Sequence, residues 1–421
     1  MNKVKDLPAD DAIVTATQSP SIAHSSRAYV ERVRQGDIGA LPAVLGLLVL
    51  CVVFAILRPN FVSAGNFANL FTQGAAVTVI AMGLVFVLLL GEIDLSAGFA
   101  SGVCAAVLAV TLTQFGLPWY VCVLAAMVTG VVIGLLLGTL VAKVGVPSFV
   151  VTLAAFLGFQ GLVLVLLKEG TNISITDPVI KAIENNNLPP TLGWALFALC
   201  VAAYAAVQIV RARKRAARGL VAEPLTLIAA RVGALAVIAG ASVYVLNLER
   251  SRNPLFASLS GVPIVVPIIL VLLVVWTFVL RRTAFGRHVY AVGGNVEAAR
   301  RAGIPVDRIK ISAFVICSGM AAIGGIIAAS KAASVDPNTG GSTVLLYAVG
   351  AAVIGGTSLF GGKGRVLDAV LGGAVVAVIE NGMGLMGLGS SAKYLVTGGV
   401  LLLAAGVDAI SRRRASAAGL R

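Results

Sequence analysis

Residues 72–115 read TQGAAVTVIAMGLVFVLLLGEIDLSAGFASGVCAAVLAVTLTQF, two apolar runs, 72–90 and 97–115, around the hexapeptide Gly91-Glu92-Ile93-Asp94-Leu95-Ser96. Each run approaches the roughly 20 residues a helix needs to cross a hydrocarbon core about 30 Å thick. The pair therefore predicts two membrane spans, with Glu92 and Asp94 at or near membrane depth, where ionisable groups are costly and functional candidates by default. The pattern continues outward. Further apolar segments lie at about 39–57, 117–141, 147–167, 192–210, 225–248, 262–280, 311–330, 342–360, 366–387 and 393–410. The expectation is an all-α polytopic membrane protein of about 10–12 transmembrane helices. Its membrane domain covers 39–410, with a disordered cytoplasmic tail over 1–38, which lacks the apolar core of a signal peptide, and a cytoplasmic tail over 411–421.

Composition agrees. Of 421 residues, 58% are hydrophobic and 12% charged, with a mean hydropathy of +0.98, far from the roughly 25% charge of soluble domains. The net charge of +14, from 32 Lys and Arg against 18 Asp and Glu, would suggest nucleic-acid binding in a soluble chain. Sorted by loop with the N-terminus in the cytoplasm, 25 basic residues fall on the cytoplasmic side and seven on the other. Because Lys and Arg collect in cytoplasmic loops, the excess records orientation, places both termini in the cytoplasm and argues for no nucleic-acid partner. Cys51, Cys104, Cys122, Cys200 and Cys317 lie singly inside apolar runs, and His24 and His288 are the only histidines. No metal, cofactor or catalytic centre is expected, so the chain reads as a non-enzyme.

Residues 281–310 carry the densest basic block, and within them 293–305 read GGNVEAARRAGIP. Asn295 suits an N-cap, Glu297 the first turn, Arg300 and Arg301 the last turn, Gly303 a left-handed C′ position, and Pro305 blocks continuation. A two-turn helix is unstable alone in water, so it either lies on the membrane surface or docks into a partner protein; docking is the favoured reading. Glycines at 130, 134 and 138 are spaced for close helix packing. A weak repeat relates 91–98 (GEIDLSAG) to 355–362 (GGTSLFGG). The span count puts both on the cytoplasmic side, as a parallel repeat would, whereas an inverted repeat requires a re-entrant segment.

Three polar groups stand out within apolar surroundings. Asp94 and Ser96 either cap the third span or line a translocation pathway. Asn381 in the eleventh span either ties helices together or lines the same pathway with Glu380. Lys331 and Asp336 begin an outer loop that either meets a charged docking surface or is merely solvated. Gly361-Gly362-Lys363 resembles a phosphate loop, but Thr357 and Gly364 stand where the Walker spacing needs Gly and Ser or Thr.

The order Glu297-Ala298-Ala299, then Gly303, resembles the EAA motif by which permeases of ATP-binding-cassette importers contact their ATPases, although no Ile-x-Leu-Pro follows. With Gly91-Glu92-Ile93-Asp94-Leu95-Ser96, Ala291-Val-Gly-Gly-Asn295, Ile354-Gly-Gly-Thr-Ser-Leu-Phe-Gly-Gly362 and Glu380-Asn-Gly-Met383, the chain over about 40–411 is similar to the ribose/xylose/arabinose class of importer permeases. An additional stretch, about 200–258, and Thr283-Ala-Phe-Gly-Arg287 are most similar to the xylose-transport permeases. The resemblance implies a bacterial inner-membrane sugar permease, D-xylose being the leading substrate. It further implies ATP-binding-cassette ATPase subunits as partners at Asn295, Glu297, Ala298, Ala299, Arg300, Arg301 and Gly303. A periplasmic sugar-binding protein, a second permease copy in a homodimer and surrounding lipid would complete the assembly. The competing readings are an ion-coupled secondary transporter or channel and a membrane-embedded enzyme; the former would need a more convincing buried ion site than Glu92, Asp94 and Glu380, the latter a larger polar domain.

Overall fold

The computed structural model describes residues 41–168, 171–219, 224–251 and 258–417; the expected tail 1–38 lies outside them. The helices are α1 Leu41–Leu57, α2 Ala64–Gln73, α3 Ala75–Leu89, α4 Ala97–Thr113, α5 Trp119–Thr139, α6 Ser148–Leu166, α7 Pro178–Asn185, α8 Pro190–Ala216, α9 Leu225–Asn247, α10 Val265–Arg282, α11 Ala284–Gly294, α12 Val296–Arg301, α13 Val306–Ala332, α14 Ser342–Ile354, α15 Val366–Leu385 and α16 Ser390–Ala417. Among the described residues, eight helical rods are long and apolar enough to cross a membrane, counting α2–α3 as one; α1, α4, α14 and residues 390–403 of α16 are shorter apolar helices. Two differences from the sequence expectation concern ends. The segment expected over 342–360 stops at Ile354, where Gly355 packs on the Asp368 backbone, and α16 continues past 410, so that the expected tail 411–421 is helical as far as Ala417.

α13 is the central element, packed against α5, α3 and α4. Its contacts fix the direction of the others. Gly83 of α3 lies on Cys317 and Met320, and Ile80 on Gly324, so α3 is antiparallel to α13. Gly130, Gly134 and Gly138 of α5 meet Ser318, Val315 and Ile311, also antiparallel, at distances a Cβ would close to under 3 Å. These glycines therefore serve packing, as small residues do where helices approach in lipid. Ser101 of α4 backs on Gly325 while Asp94, just before α4, faces Cys317, so α4 runs parallel to α13.

From the end that carries α11 and α12, the basic end, the chain thus crosses up in α1, down in α2–α3, up in α4, down in α5 and up in α6. After the α8–α9 hairpin it crosses down in α10, up in α13, down in α14, up in α15 and down in α16. The two five-helix sets have opposite directions, an inverted arrangement. In each the third member is a short helix entered through a non-helical segment, 91–96 before α4 and 336–341 before α14. The re-entrant segments exist, and the structural counterpart of 91–96 is 336–341, although 355–362 is its closer match in sequence.

Between the sets, β2 (Asn187–Leu188) pairs antiparallel with β3 (Val262–Pro263), and β1 (Ile173–Ser174) pairs with β4 (Ser334–Val335). The chain enters and leaves the α8–α9 hairpin at neighbouring points.

Candidate coupling and translocation site

The short helix α12 has the punctuation its sequence predicts. Asn295 Oδ1 accepts from the Ala298 N–H at 2.9 Å, Gly303 takes φ +79°, and the Ile304 N–H returns to Ala299 O at 3.0–3.1 Å along with the Gly303 N–H to Arg300 O. Asn295, Glu297, Ala298, Arg300, Arg301 and Gly303 are exposed, and Arg300 pairs with Glu297 at 3.3 Å. Ala299 is buried, so α12 rests on α13 through that residue and shows its charged face outward. The expected loop 281–310 is itself largely helical. Thr283 caps α11, its hydroxyl accepting from the Gly286 N–H at 3.2 Å.

α11 connects this face to the interior. Val289 and Val292 are buried, Tyr290 donates to Gly364 O at 2.8 Å, and Gly293 packs directly on Leu89 O with the Gly362 N–H beside it. Gly362 donates to Leu89 O at 2.8 Å. The end of α3, the end of α11 and the 355–365 turn thus meet backbone to backbone, and Gly91 leaves this junction into the 91–96 segment.

Of the pathway candidates, Glu92 does not stand free: its Oε1 pairs with Lys310 Nζ at 2.5 Å. Asp94, 1% exposed, accepts from the Ser96 N–H at 2.8 Å and the Ser96 hydroxyl at 2.6 Å. Its other oxygen, Oδ2, has no hydrogen-bond partner among the described residues. Cys317, which faces it, lies eleven residues into α13, roughly 17 Å from its start at 1.5 Å per residue, so Asp94 sits near mid-depth. Ser148 and Thr152 of α6 hold Ile93 on either side. Gly98, in the first turn of α4, touches Gly340 O and Gly341 O at the entry to α14. Two helix N-termini, each with a partial positive charge, therefore meet at the centre of the molecule, the one at α4 facing the Asp94 carboxylate, which takes the Ser96 and Ala97 N–H groups.

Asn381 is fully engaged. It exchanges amide hydrogen bonds with Asn66 of α2, both 2.9 Å, and donates to Gln73 at 3.0 Å. Glu380 beside it is half-buried and interacts with Lys331 at the end of α13. Lys331 in turn donates to Thr72 O at 3.2 Å and faces Glu184 of α7. Glu184 and Lys310 are the functional-looking groups that sequence reasoning missed. Asp336, expected to begin an outer loop, caps a turn at Asn338 (2.7 Å) from which the chain dives back to Gly340.

Residues 66–405 match the family described as branched-chain amino acid transport system / permease component. The chain is 38% identical over 354 residues to a xylose transport system permease protein of Escherichia coli K12, covering 84% of this chain and 87% of the relative. It is 32% identical to the protein of that description in Haemophilus influenzae, over 88% and 96%, and 31% identical to a ribose import permease protein of Escherichia coli K12, over 87% and 92%. No solved structure matches the chain.

Proposed function

The chain belongs to the permease-component family of branched-chain amino acid transport systems, and from that membership we propose that it is the membrane subunit of an ATP-binding-cassette importer for a simple sugar, D-xylose foremost. The sugar is inferred from the relatives' cargo, since no side chain here distinguishes a pentose from a hexose. In this reading the membrane is the bacterial inner membrane, and the basic end and both termini are cytoplasmic. Separate ATPase subunits dock on the exposed face of α12, and a periplasmic sugar-binding protein meets the opposite end. Two copies of the chain, embedded in membrane lipid, form the transporter.

The observation that carries the reading is the seat of Gly293 on Leu89 and Gly362. A displacement of α12 by an ATPase is handed through α11 to the start of 91–96, and from there to the crossing of α4 and α14. Closely packed junctions yield to a shift by changing from one packing to another rather than by deforming continuously. Of the five pathway candidates we assign sugar contact to Asp94, oriented by Ser96, because it keeps an acceptor oxygen to spare, and to Glu380 at the far end. Glu92 and Asn381 hold the helices that frame the route.

Xylose uptake into proteoliposomes containing this chain, its ATPase and the binding protein is expected to require ATP. Glu297→Lys and Gly303→Pro should insert normally and lose at least tenfold of that uptake. Full uptake in both variants, or uptake driven by an ion gradient without the ATPase, overturns the proposal.

A further inference from the structure

Glu92 Oε1 meets Lys310 Nζ at 2.5 Å, and the two side chains are 15% and 18% exposed. The Arg300–Glu297 pair on α12 is longer, at 3.3 Å, and 59% and 67% exposed. A pair that open to water contributes little, whereas charges largely withdrawn from water leave a costly orphan when one partner is lost. Of the two, it is the Glu92–Lys310 pair that can fix one segment against another. Lys310 and Cys317 are seven residues apart on α13, two turns at 3.6 residues per turn, and so share a face. Glu92 meets the first and Asp94 faces the second. Between them the Ile93 backbone is tied to α6, its N–H donating to Ser148 Oγ at 3.3 Å and its carbonyl accepting from Thr152 Oγ1 at 3.1 Å. The 91–96 segment thus stands between α13 and α6 with both carboxylates on the α13 side. The start of α13 is also joined to α12. Ile304 N–H donates to Ala299 O at 3.1 Å, Val306 N–H to Ile304 O at 2.9 Å and Ile309 N–H to Pro305 O at 3.2 Å, and Ala299, Val306 and Ile309 are buried. The turn is hydrogen-bonded at both ends, so α12 and the first turns of α13 carry Lys310 as one body.

We propose that Lys310 is a positioning residue for transport: through Glu92 it holds the 91–96 segment, and with it Asp94, in step with α12. The inference rests on the reading of α12 as the ATPase contact and adds a second connection to the one through α11. α11 bears on the start of the segment by backbone packing, at Gly293 and Leu89, and Lys310 bears on Glu92 by charge. Displacement of α12 then moves the segment at both points together, so the carboxylate offered to the sugar shifts with the ATPase. Lys310 acts only through Glu92 and touches no sugar itself.

In the full chain in detergent, without ATPase or sugar, backbone hydrogen exchange read by mass spectrometry should quicken at least fivefold over 91–97 in Lys310→Gln and in Glu92→Gln. It should keep its wild-type rate over 366–378 of α15. Lys310→Arg, and Glu92→Lys combined with Lys310→Glu, should return 91–97 to within twofold of wild type. In proteoliposomes with the ATPase and the binding protein, each single Gln variant should carry at least fivefold less sugar per ATP hydrolysed, and the charge swap should restore at least half of the loss. Unchanged exchange over 91–97 in the single variants, or an equal rise over 366–378, overturns the positioning role whether or not uptake is seen. Wild-type sugar per ATP in an inserted Lys310→Gln variant overturns the link to α12. Where the single variants fail to insert, the charge swap decides: a swapped chain that also fails, or that inserts with 91–97 still loosened, overturns the proposal. Lack of ATP-dependent uptake by the unaltered chain tells against the importer reading alone, and the exchange measurement still decides what holds 91–96.

Discussion

Glu184 lies in the last turn of the short helix α7 with 4% of its surface exposed and, among the described residues, neither carboxylate oxygen hydrogen-bonded. Only its backbone is tied, the N–H donating to Ser330 Oγ at 3.0 Å. Burial pushes its carboxyl up to about 8, against the opposing pull of the Lys331 charge, because withdrawal from water disfavours the carboxylate more than the neighbouring cation favours it. The ordinary value being 4.5, the folded chain holds this proton between the two values while the unfolded chain has released it. Stability from this group is thus complete below the ordinary value and is lost as pH rises through about 8. The thermal midpoint in detergent should therefore fall between pH 5 and pH 8.5, and Glu184→Gln should flatten that slope; an unchanged slope would show that the carboxyl is not the group responsible. Nothing in the sequence pointed to Glu184. It stands in a polar stretch, and the residues that bury it are about 146 positions away on α13. Asp94 was legible for the opposite reason, as a charge between two long apolar runs.

At the scale of elements, α12 was readable because capping is local: Asn295, Glu297 and Gly303 act within one turn of their own backbone, and the structure places each as the spacing requires. α11 was not readable, because its role is set by what it packs against. Gly293 and Gly294 are adjacent and alike in sequence, yet a Cβ on Gly293 would overlap the Leu89 carbonyl, whereas one on Gly294 would meet nothing within 4 Å. Overpacking against backbone typically costs about 1–3 kcal/mol, and here it would lift α11 off the end of α3. Gly293→Ala should lower the thermal midpoint and uncouple ATP use from uptake. Gly294→Ala, which gains helix propensity, should leave both at wild-type values. Equal behaviour of the two variants would mean that the junction is not closely packed in the membrane. The Asn66–Asn381 amide pair is a similar long-range tie. Intramembrane hydrogen bonds average only about 0.6 kcal/mol, so its contribution lies in fixing α2 against α15 more than in stability.

For the whole molecule, each of the twelve apolar runs corresponds to a helix among the described residues, eight of them long enough to cross a membrane, and the distribution of Lys and Arg grouped their ends consistently with one basic face. The inverted relation escaped, since 91–96 and 336–341 share a path through the fold and almost no residues; Asp94 with Ser96 organises one and backbone at Gly340 and Gly341 the other. The stretch beyond 200, read as an addition to a shorter permease, has a structural signature in β2 and β3. Leu188 pairs with Val262 and Asn187 with Pro263, and paired antiparallel strands hold their Cα atoms about 5 Å apart. The α8–α9 hairpin between them buries only 6% of each helix's apolar window in the chain. Among the described residues its ties to the remainder include Leu246 with Ala68 and Val262 in a small apolar cluster, and Arg250 reaching the Gly261 carbonyl at 3.1 Å. Excision of 190–260, with Pro189 joined to Gly261 through two or three glycines, should therefore leave both five-helix sets intact. The shortened chain should insert, elute as a single species and keep the Glu184-dependent pH slope. Aggregation on excision, or loss of that slope, would instead make the hairpin a structural member of the bundle.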